Sequence, residues 1–144
     1  MKQTIKWKRL SPNAHIPEQG SIGASGFDLM ACFDGKSRMI GSTPELVGTG
    51  IALEIPRGLD VQVRPRSGLS LQGVVVPLGT IDSDYRGEIF VTMYVANPQK
   101  QHQVHNGDRI AQLVIGYLPD VEMLEVDELS LTERGDGGHG STGR

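Results

Sequence analysis

Residues 79 to 89 read GTIDSDYRGEI and bring two carboxylates (Asp82 and Asp84), the Tyr85 phenol and the Arg86 guanidinium onto one tight, glycine-bounded turn. A hairpin tip needs only Gly, Asn or Asp to reach positive φ. It needs neither the apolar Ile81 leading into Asp82 nor a tyrosine past the centre. The plain alternative is a polar turn with a packed tyrosine. Against it stand several other segments that carry more charge or more glycine than their local structure requires, and together these describe one nucleotide site.

RPRSGLS, residues 64 to 70, follows a strand-like run and is broken by Pro65. A helical turn from Ser67 to Gln72, stopped by Gly73, would present free N–H groups and a positive dipole end, where phosphate binds readily. Arg66 and Ser67 stand at that start, and Gly68 lets an anion approach the backbone. An N-capping serine beside a surface arginine fits the same residues. Arg109 and Gln112 interrupt the apolar run of NGDRIAQLVIGY, and each needs a polar partner, either a phosphate or a neighbouring backbone carbonyl. The tail RGDGGHGSTG holds five glycines in ten residues and has no fixed shape unaided. No lysine follows Gly140, so it is not a Walker loop. It reads as a disordered tail or as an arm that closes over ligand, with Arg134 on phosphate and His139 over a planar base. His102 and His105 have no third ligand nearby, and their segment reads as a turn rather than a metal site.

The elements that must position these groups are strands. Leu59, Val61 and Val63 alternate with Asp60, Gln62 and Arg64, a half-buried strand. Phe27, Leu29 and Ala31 alternate with Asp28 and Met30, which puts an acid opposite the aromatic; alone, Asp28 reads as a solvated strand carboxylate. Thr4 to Arg9 suits an edge strand, Val74 to Val76 a short buried one leading into a hairpin, and VEMLEVDEL a last strand. Ile89, Val91, Met93 and Val95 face away from Phe90, Thr92 and Tyr94, with both faces apolar enough for a barrel interior or a subunit contact. Strands recurring every 8 to 12 residues without βαβ alternation predict an all-β sandwich or barrel.

At 144 residues the chain is expected to form one domain, 1–144, with residues from about 130 onward as a flexible arm. A net charge of −3 argues against a general nucleic-acid surface, so phosphate chemistry must be local. Cys32 is the only cysteine, which rules out an intrachain disulfide. The amino-terminal MKQTIKWKRL has no apolar core of a secretory signal, and no run is long enough to span a bilayer. A soluble, cytoplasmic protein without membrane partners is the expectation.

ASGFDLMA (24–31), RPRSGLS (64–70), GTIDSDYRGE (79–88), GDRIAQLV (107–114) and RGDGGHGSTG (134–143) resemble, in order and spacing, the five motifs of the homotrimeric dUTP diphosphatase (dUTPase) family. The resemblance covers nearly the whole chain after the first strand. It implies a distorted jelly-roll-like β-barrel with one short helix and a flexible carboxy-terminal arm, assembled as a homotrimer. It also implies hydrolysis of dUTP to dUMP and diphosphate. By motif match, Asp82 is the candidate to orient and deprotonate the attacking water, help typically worth about 10²- to 10⁴-fold. Arg66, Ser67, Gly68, Gln112 and Arg134 are expected on the phosphates, and His139, Gly140 and Ser141 in the closing arm. Main-chain groups from Val76 through Thr80 and Ile81 to Asp82, with the strand near Phe90, are expected to pair with uracil in a narrow hairpin, and Tyr85 to pack on the deoxyribose. Mg²⁺ is implied on phosphate oxygens and water, with Asp28 in its outer shell. Sites are expected to be shared between subunits, so that a monomer is inactive.

Two positions depart from the family pattern: His139 stands where phenylalanine is usual, and Ser70 where alanine is common. The related dCTP deaminases carry a catalytic glutamate on the strand after the hairpin, but Ile89 to Ala96 has no carboxylate, and Thr92 stands at the aligned position. A nucleotide sensor would be marked by loss of Asp82 or of the arm, and both are present.

Overall fold

The computed structural model describes residues 1–141 and Gly143. Its elements run β1 (Lys6–Arg9), β2 (Gly26–Met30), β3 (Ser37–Ile40), β4 (Glu45–Glu54), β5 (Leu59–Arg64), α1 (Ser67–Leu71), β6 (Val74–Val75), β7 (Gly79–Ile81), β8 (Glu88–Val95), β9 (His102–His105) and β10 (Arg109–Tyr117). Two four-stranded sheets, β1-β4-β8-β6 and β2-β10-β5-β7, and a β3-β9 ribbon make an all-β fold. Neighbouring strands pair antiparallel throughout.

The period-2 patterns act as expected. Leu59, Val61 and Val63 point inward from β5, and Ile89, Val91, Met93 and Val95 from β8. The two sets come from opposite sheets and close, with Leu29, Ile110 and Leu113 of the β5 sheet, into one core. Each such fully buried side chain contributes about 1.5–3 kcal/mol of transfer free energy, enough to hold the two sheets in register. On its other face β8 leaves Phe90 44% exposed and Thr92 and Tyr94 only partly covered. The short helix forms where Pro65 ends β5, and Gly73, at φ +79°, stops it.

β4 is irregular where it meets β8. Gly48 lies opposite Phe90 and Ala52 opposite Glu88, so four steps along β4 answer two along β8. The two extra residues form a bulge, which bends a strand and re-aims its side chains. Gly50 adopts φ +68° within it, and a Cβ there would sit 2.9 Å from the Cys32 Sγ. Thr49, buried beside it, donates its hydroxyl to the Ile89 carbonyl at 2.6 Å.

Three sequence expectations change. The segment around Asp82 is not a narrow hairpin: β6 pairs with β8 at Val74–Val95 and Val75–Tyr94, but β7 pairs with β5 in the other sheet. Pro77 has no N–H to continue the β6 ladder, so the chain leaves it there. Residues 121–129 form no strand, because a strand exists only where an edge accepts its backbone groups and none in this chain does. His102–His105 is a strand rather than a turn, paired with β3 and anchored by the fully buried Val104. A four-residue strand with one core side chain carries too little alternation to be recognised, and β3 was missed for the same reason.

Candidate active site

Asp28, Gln112 and Arg64 lie in one row across β2, β10 and β5. That row brings the first, second and fourth motifs together. Asp28 is mostly covered, at 15% side-chain exposure, and each carboxylate oxygen faces a guanidinium: Arg66 Nε at 3.1 Å on Oδ1 and Arg109 Nε at 3.6 Å on Oδ2. Arg66 also donates through Nη1 to the Arg109 carbonyl at 3.1 Å. Asp28 is therefore a clamp that holds two arginines side by side. Two guanidiniums on one carboxylate leave a net positive charge at the sheet end, suited to a polyanion.

Gln112 donates through Nε2 to the Pro65 carbonyl at 3.0 Å, tying β10 to the turn that carries Arg66. Of the two partners open to it in the sequence, the backbone carbonyl is the one it takes here. Its amide lies so close over Gly26 that a Cβ there would come within 2.9 Å of the Gln112 Cδ. Ser67 and Gly68 are exposed on the first turn of α1, and nothing lies within 4 Å of a Cβ built at Gly68. Arg66 is the residue before that turn and makes no side-chain cap.

Asp82 is exposed and lines an open cleft with Asp60, Asp84, Arg57 and Arg86. The turn after it is internally braced. Tyr85 N–H donates to the Asp82 carbonyl at 3.1 Å, Tyr85 hydroxyl to the Glu88 carbonyl at 2.9 Å, and Arg86 to the Ser83 carbonyl at 2.7 Å. Arg86 also reaches Glu54 at 3.9 Å, and the Lys6 ammonium, hydrogen-bonded to Glu54 at 2.8 Å, holds that carboxyl below its ordinary value. Tyr85 and Phe90 are both 44% exposed, whereas Val76 is buried and Thr80 exposed.

β7 lies at the end of its sheet, and β6 covers β8 only at Tyr94 and Val95. From Val76 to Ile81 on one side and Phe90 to Met93 on the other, a strand edge is therefore left unpaired, with main-chain donors and acceptors free for a planar ligand.

The tail is folded on itself. Arg134 Nε donates to the Gly137 carbonyl at 2.8 Å, Gly137 N–H donates to the Arg134 carbonyl at 3.2 Å and Ser141 N–H to the Gly138 carbonyl at 3.1 Å. His139 is exposed at φ +52°, with Gly140 and Ser141 beside it and no ion pair to Asp28 or Asp82. Arg109, marked in the sequence as a polar interruption in need of a phosphate or a backbone carbonyl but not placed among the site residues, joins this cluster through Asp28. Its signal was a charge at the start of an otherwise apolar strand.

Within one chain the two groups of residues do not meet. Ile81 lies opposite Val61 and Gln112 opposite Arg64. Asp82 and Asp28 are thus separated by about four residues along the strands and three strand spacings across them, about 20 Å in all. The cleft at Asp82 contains none of Asp28, Arg66 or Gln112.

Comparison with known proteins fixes the family. The dUTPase family model matches residues 12–143. The deoxyuridine 5'-triphosphate nucleotidohydrolase of Helicobacter hepaticus is 47% identical over 144 residues, 96% of this chain and 88% of its own length. That of Hydrogenobaculum sp. is 47% identical over 139 residues, 94% of this chain and 95% of its own. Among solved structures, a variant of the Staphylococcus bacteriophage 80alpha dUTPase with dUpNHpp superposes with a TM-score of 0.85 at 26% identity, covering 99% of this chain and 100% of that one. The phage phi11 dUTPase, described with a structural Mg(II) ion, superposes with a TM-score of 0.78 at 23% identity, covering 88% of this chain and 98% of that one, a likeness of fold. The chain belongs to the dUTPase family, the deoxyuridine 5'-triphosphate nucleotidohydrolases.

Proposed function

We propose that this chain hydrolyses dUTP at the α-phosphorus, giving dUMP and diphosphate, in sites each assembled from more than one copy of the chain. The observation that carries the composite site is the separation of about 20 Å between Asp82 and the Arg66–Asp28–Arg109 cluster, estimated from strand spacing. A water bridge spans only two hydrogen bonds of about 2.9 Å each. The carboxylate and the phosphate-binding arginines therefore cannot serve one α-phosphorus unless a second chain brings one of them.

The exposed apolar residues support the same reading. Leu118, at the end of β10, and Met123, Leu124, Leu129 and Leu131, on the strandless segment after it, are each at least 60% exposed. Such a stretch is costly to leave in water and suits the surface of a neighbouring copy. A homotrimer with three equivalent sites is the assembly proposed, following the resemblance.

In this site Asp82 orients a water and takes its proton as the oxygen attacks the α-phosphorus. The bond to the bridging oxygen breaks and diphosphate leaves. Arg66, Arg109, Ser67 and the main chain at Gly68 hold the phosphate oxygens. Gln112 keeps the Arg66 turn against β10, with its second amide hydrogen free for ligand. The open edges between Val76–Asp82 and the strand near Phe90 pair with uracil, and Tyr85 packs on the sugar, where a 2′-hydroxyl would clash. The arm brings Arg134, His139, Gly140 and Ser141 over the ligand, which requires Arg134 to exchange the Gly137 carbonyl for phosphate.

Among the described residues no three His, Cys, Asp or Glu side chains converge to hold a metal. Mg²⁺, an ion that keeps its waters, would be held by phosphate oxygens and water, and Asp28 is the residue that would bind those waters. When bound, the ion supplies charge neutralisation on the phosphate oxygens. Among the described residues no helix is long and apolar enough to cross a membrane.

Diphosphate release measured with dUTP, dTTP, dCTP and UTP in Mg²⁺ tests the reading. Turnover of dUTP alone is expected, lost in Asp82→Asn while dUTP binding persists. Binding without turnover by the unaltered chain would instead make it a nucleotide sensor.

A further inference from the structure

Tyr85 and Gly87 stand at positions i and i+2 of the stretch that runs from the Asp82 turn into β8, and side chains at that spacing leave an extended chain on the same side. Gly87 has no side chain, and the phenol occupies the space instead. A Cβ built at Gly87 would overlap the Tyr85 hydroxyl oxygen and lie 2.6 Å from Cζ and 2.9 Å from Cε1 of the same ring, and these are the atoms nearest to it. Carbon atoms in ordinary contact stay about 3.5 Å apart or more. The φ of Gly87 lies outside the left-handed region, so what this position demands is room rather than backbone freedom.

The main chain on either side is pinned. Tyr85 N–H donates to the Asp82 carbonyl at 3.1 Å, and Arg86 donates through Nη1 to the Ser83 carbonyl at 2.7 Å and to the Tyr85 carbonyl at 3.2 Å. From Glu88 onward the chain is strand, with Ile89 buried in the core. The phenol, by contrast, is half exposed, and among the described residues it is tied by a single hydrogen bond, from its hydroxyl to the Glu88 carbonyl at 2.9 Å. The Glu88 side chain is engaged elsewhere: a Cβ on Gly48 of β4 would sit 2.7 Å from its Oε2, and burial pushes its carboxyl above the ordinary glutamate value. A methyl group at position 87 would therefore move the ring and not the backbone, and the hydroxyl bond would be lost with the ring's position.

We propose that Gly87 is a positioning residue for sugar recognition: its missing side chain is the seat on which the Tyr85 ring lies, and that seat fixes the height at which the ring meets the deoxyribose. This rests on the reading of Tyr85 as the group that packs on the sugar, and deepens it. A ring lifted from the seat intrudes on the sugar, so dUTP loses a fit that UTP, refused through its 2′-hydroxyl, never had. Asp82 is held to Tyr85 through main-chain atoms that stay in place, so the chemical step suffers less than binding does.

The test measures kcat and KM for dUTP and for UTP by diphosphate release in Gly87→Ala, Tyr85→Ala and the double variant, with thermal unfolding of each. Misplacement of a positioning group by about 1 Å costs on the order of 10- to 100-fold. Gly87→Ala is expected to lose about that much in kcat/KM for dUTP, mostly as a higher KM, and to change little toward UTP, so that the preference for dUTP narrows by the same factor while the unfolding temperature stays near that of the parent protein. In the Tyr85→Ala background no ring lies on position 87, and the same methyl is expected to change the ratio by less than about twofold. A dUTP to UTP ratio that Gly87→Ala leaves unmoved overturns the proposal. So does an equal loss in both backgrounds, which would mean that the methyl acts on the main chain. If Gly87→Ala does not fold, the double variant decides: it folds where the clash with the phenol is the cause, and its failure to fold overturns the seat. An unaltered preference in Tyr85→Ala would sink the reading of Tyr85 as the sugar contact, and this inference with it, whereas a large effect of Tyr85→Ala beside a silent Gly87→Ala sinks only the seat.

Discussion

A carboxylate shared by two arginines is worth most where it cannot be replaced by water, and Asp28 is such a case at 15% exposure. In Asp28→Asn the two guanidiniums keep their charges and lose the group between them. About 1–3 kcal/mol of stability is expected to go, less than for a fully buried pair because both arginines keep access to solvent. The KM for dUTP should rise more than kcat falls, since the arginines proposed to meet the phosphates are released. Steady-state kinetics with a melting curve checks both. Glu88 gives the pH dependence. Its folded-state value is raised above the ordinary 4.5, so its contribution to stability is fully present below the unfolded value and is lost as pH rises through the folded value. Glu88→Gln removes that loss, and melting curves from pH 4 upward should show the variant gaining on the parent protein as neutrality is approached.

Strands with a clear alternation were legible in the sequence. β5 and β8 each present four or fewer core side chains in strict period two, and both fold as read. The helix after Pro65 was legible too, because a proline and a glycine mark its limits. What could not be read was pairing. GTIDSDYRGEI looks like a hairpin tip because local composition shows that the chain turns, not which sheet receives it, and the departure at Pro77 is decided by the free edge of β5. VEMLEVDEL alternates like a strand, yet no edge among the described residues pairs with it. The site shows the same division. Asp82, Arg66 and Gln112 were marked by their types, whereas the Arg109–Asp28 contact depends on a register that no spacing reveals. The β4 bulge is where an element-scale substitution should tell most. Gly50→Ala forces a side chain into φ +68° against Cys32 Sγ and Ala14, and a cost of at least about 1–2 kcal/mol in unfolding free energy is expected from the backbone alone. Denaturant melts measure it.

At the scale of the molecule, the fold separates the two halves of the chemistry. The sheet β2-β10-β5-β7 carries the arginine cluster at one corner and Asp82 near the opposite one, with Gln112 and Ile81 marking the two rows. Antiparallel pairing at fixed spacing cannot bring those corners together in one chain, but symmetry can place the corner of one copy against the opposite corner of the next. The exposed leucines from Leu118 to Leu131 and the bare edge of β8 are surface that such a neighbour would cover. The most direct measurement mixes two inactive variants, Asp82→Asn and Arg66→Ala, unfolds them together and refolds them as mixed assemblies. If each site of a cyclic assembly draws Asp82 and Arg66 from different copies, about one quarter of the sites in a random equal mixture regain both groups. Recovery of dUTP hydrolysis near that fraction of the unaltered activity is the expected result. A mixture as inactive as its two components would contradict the composite site.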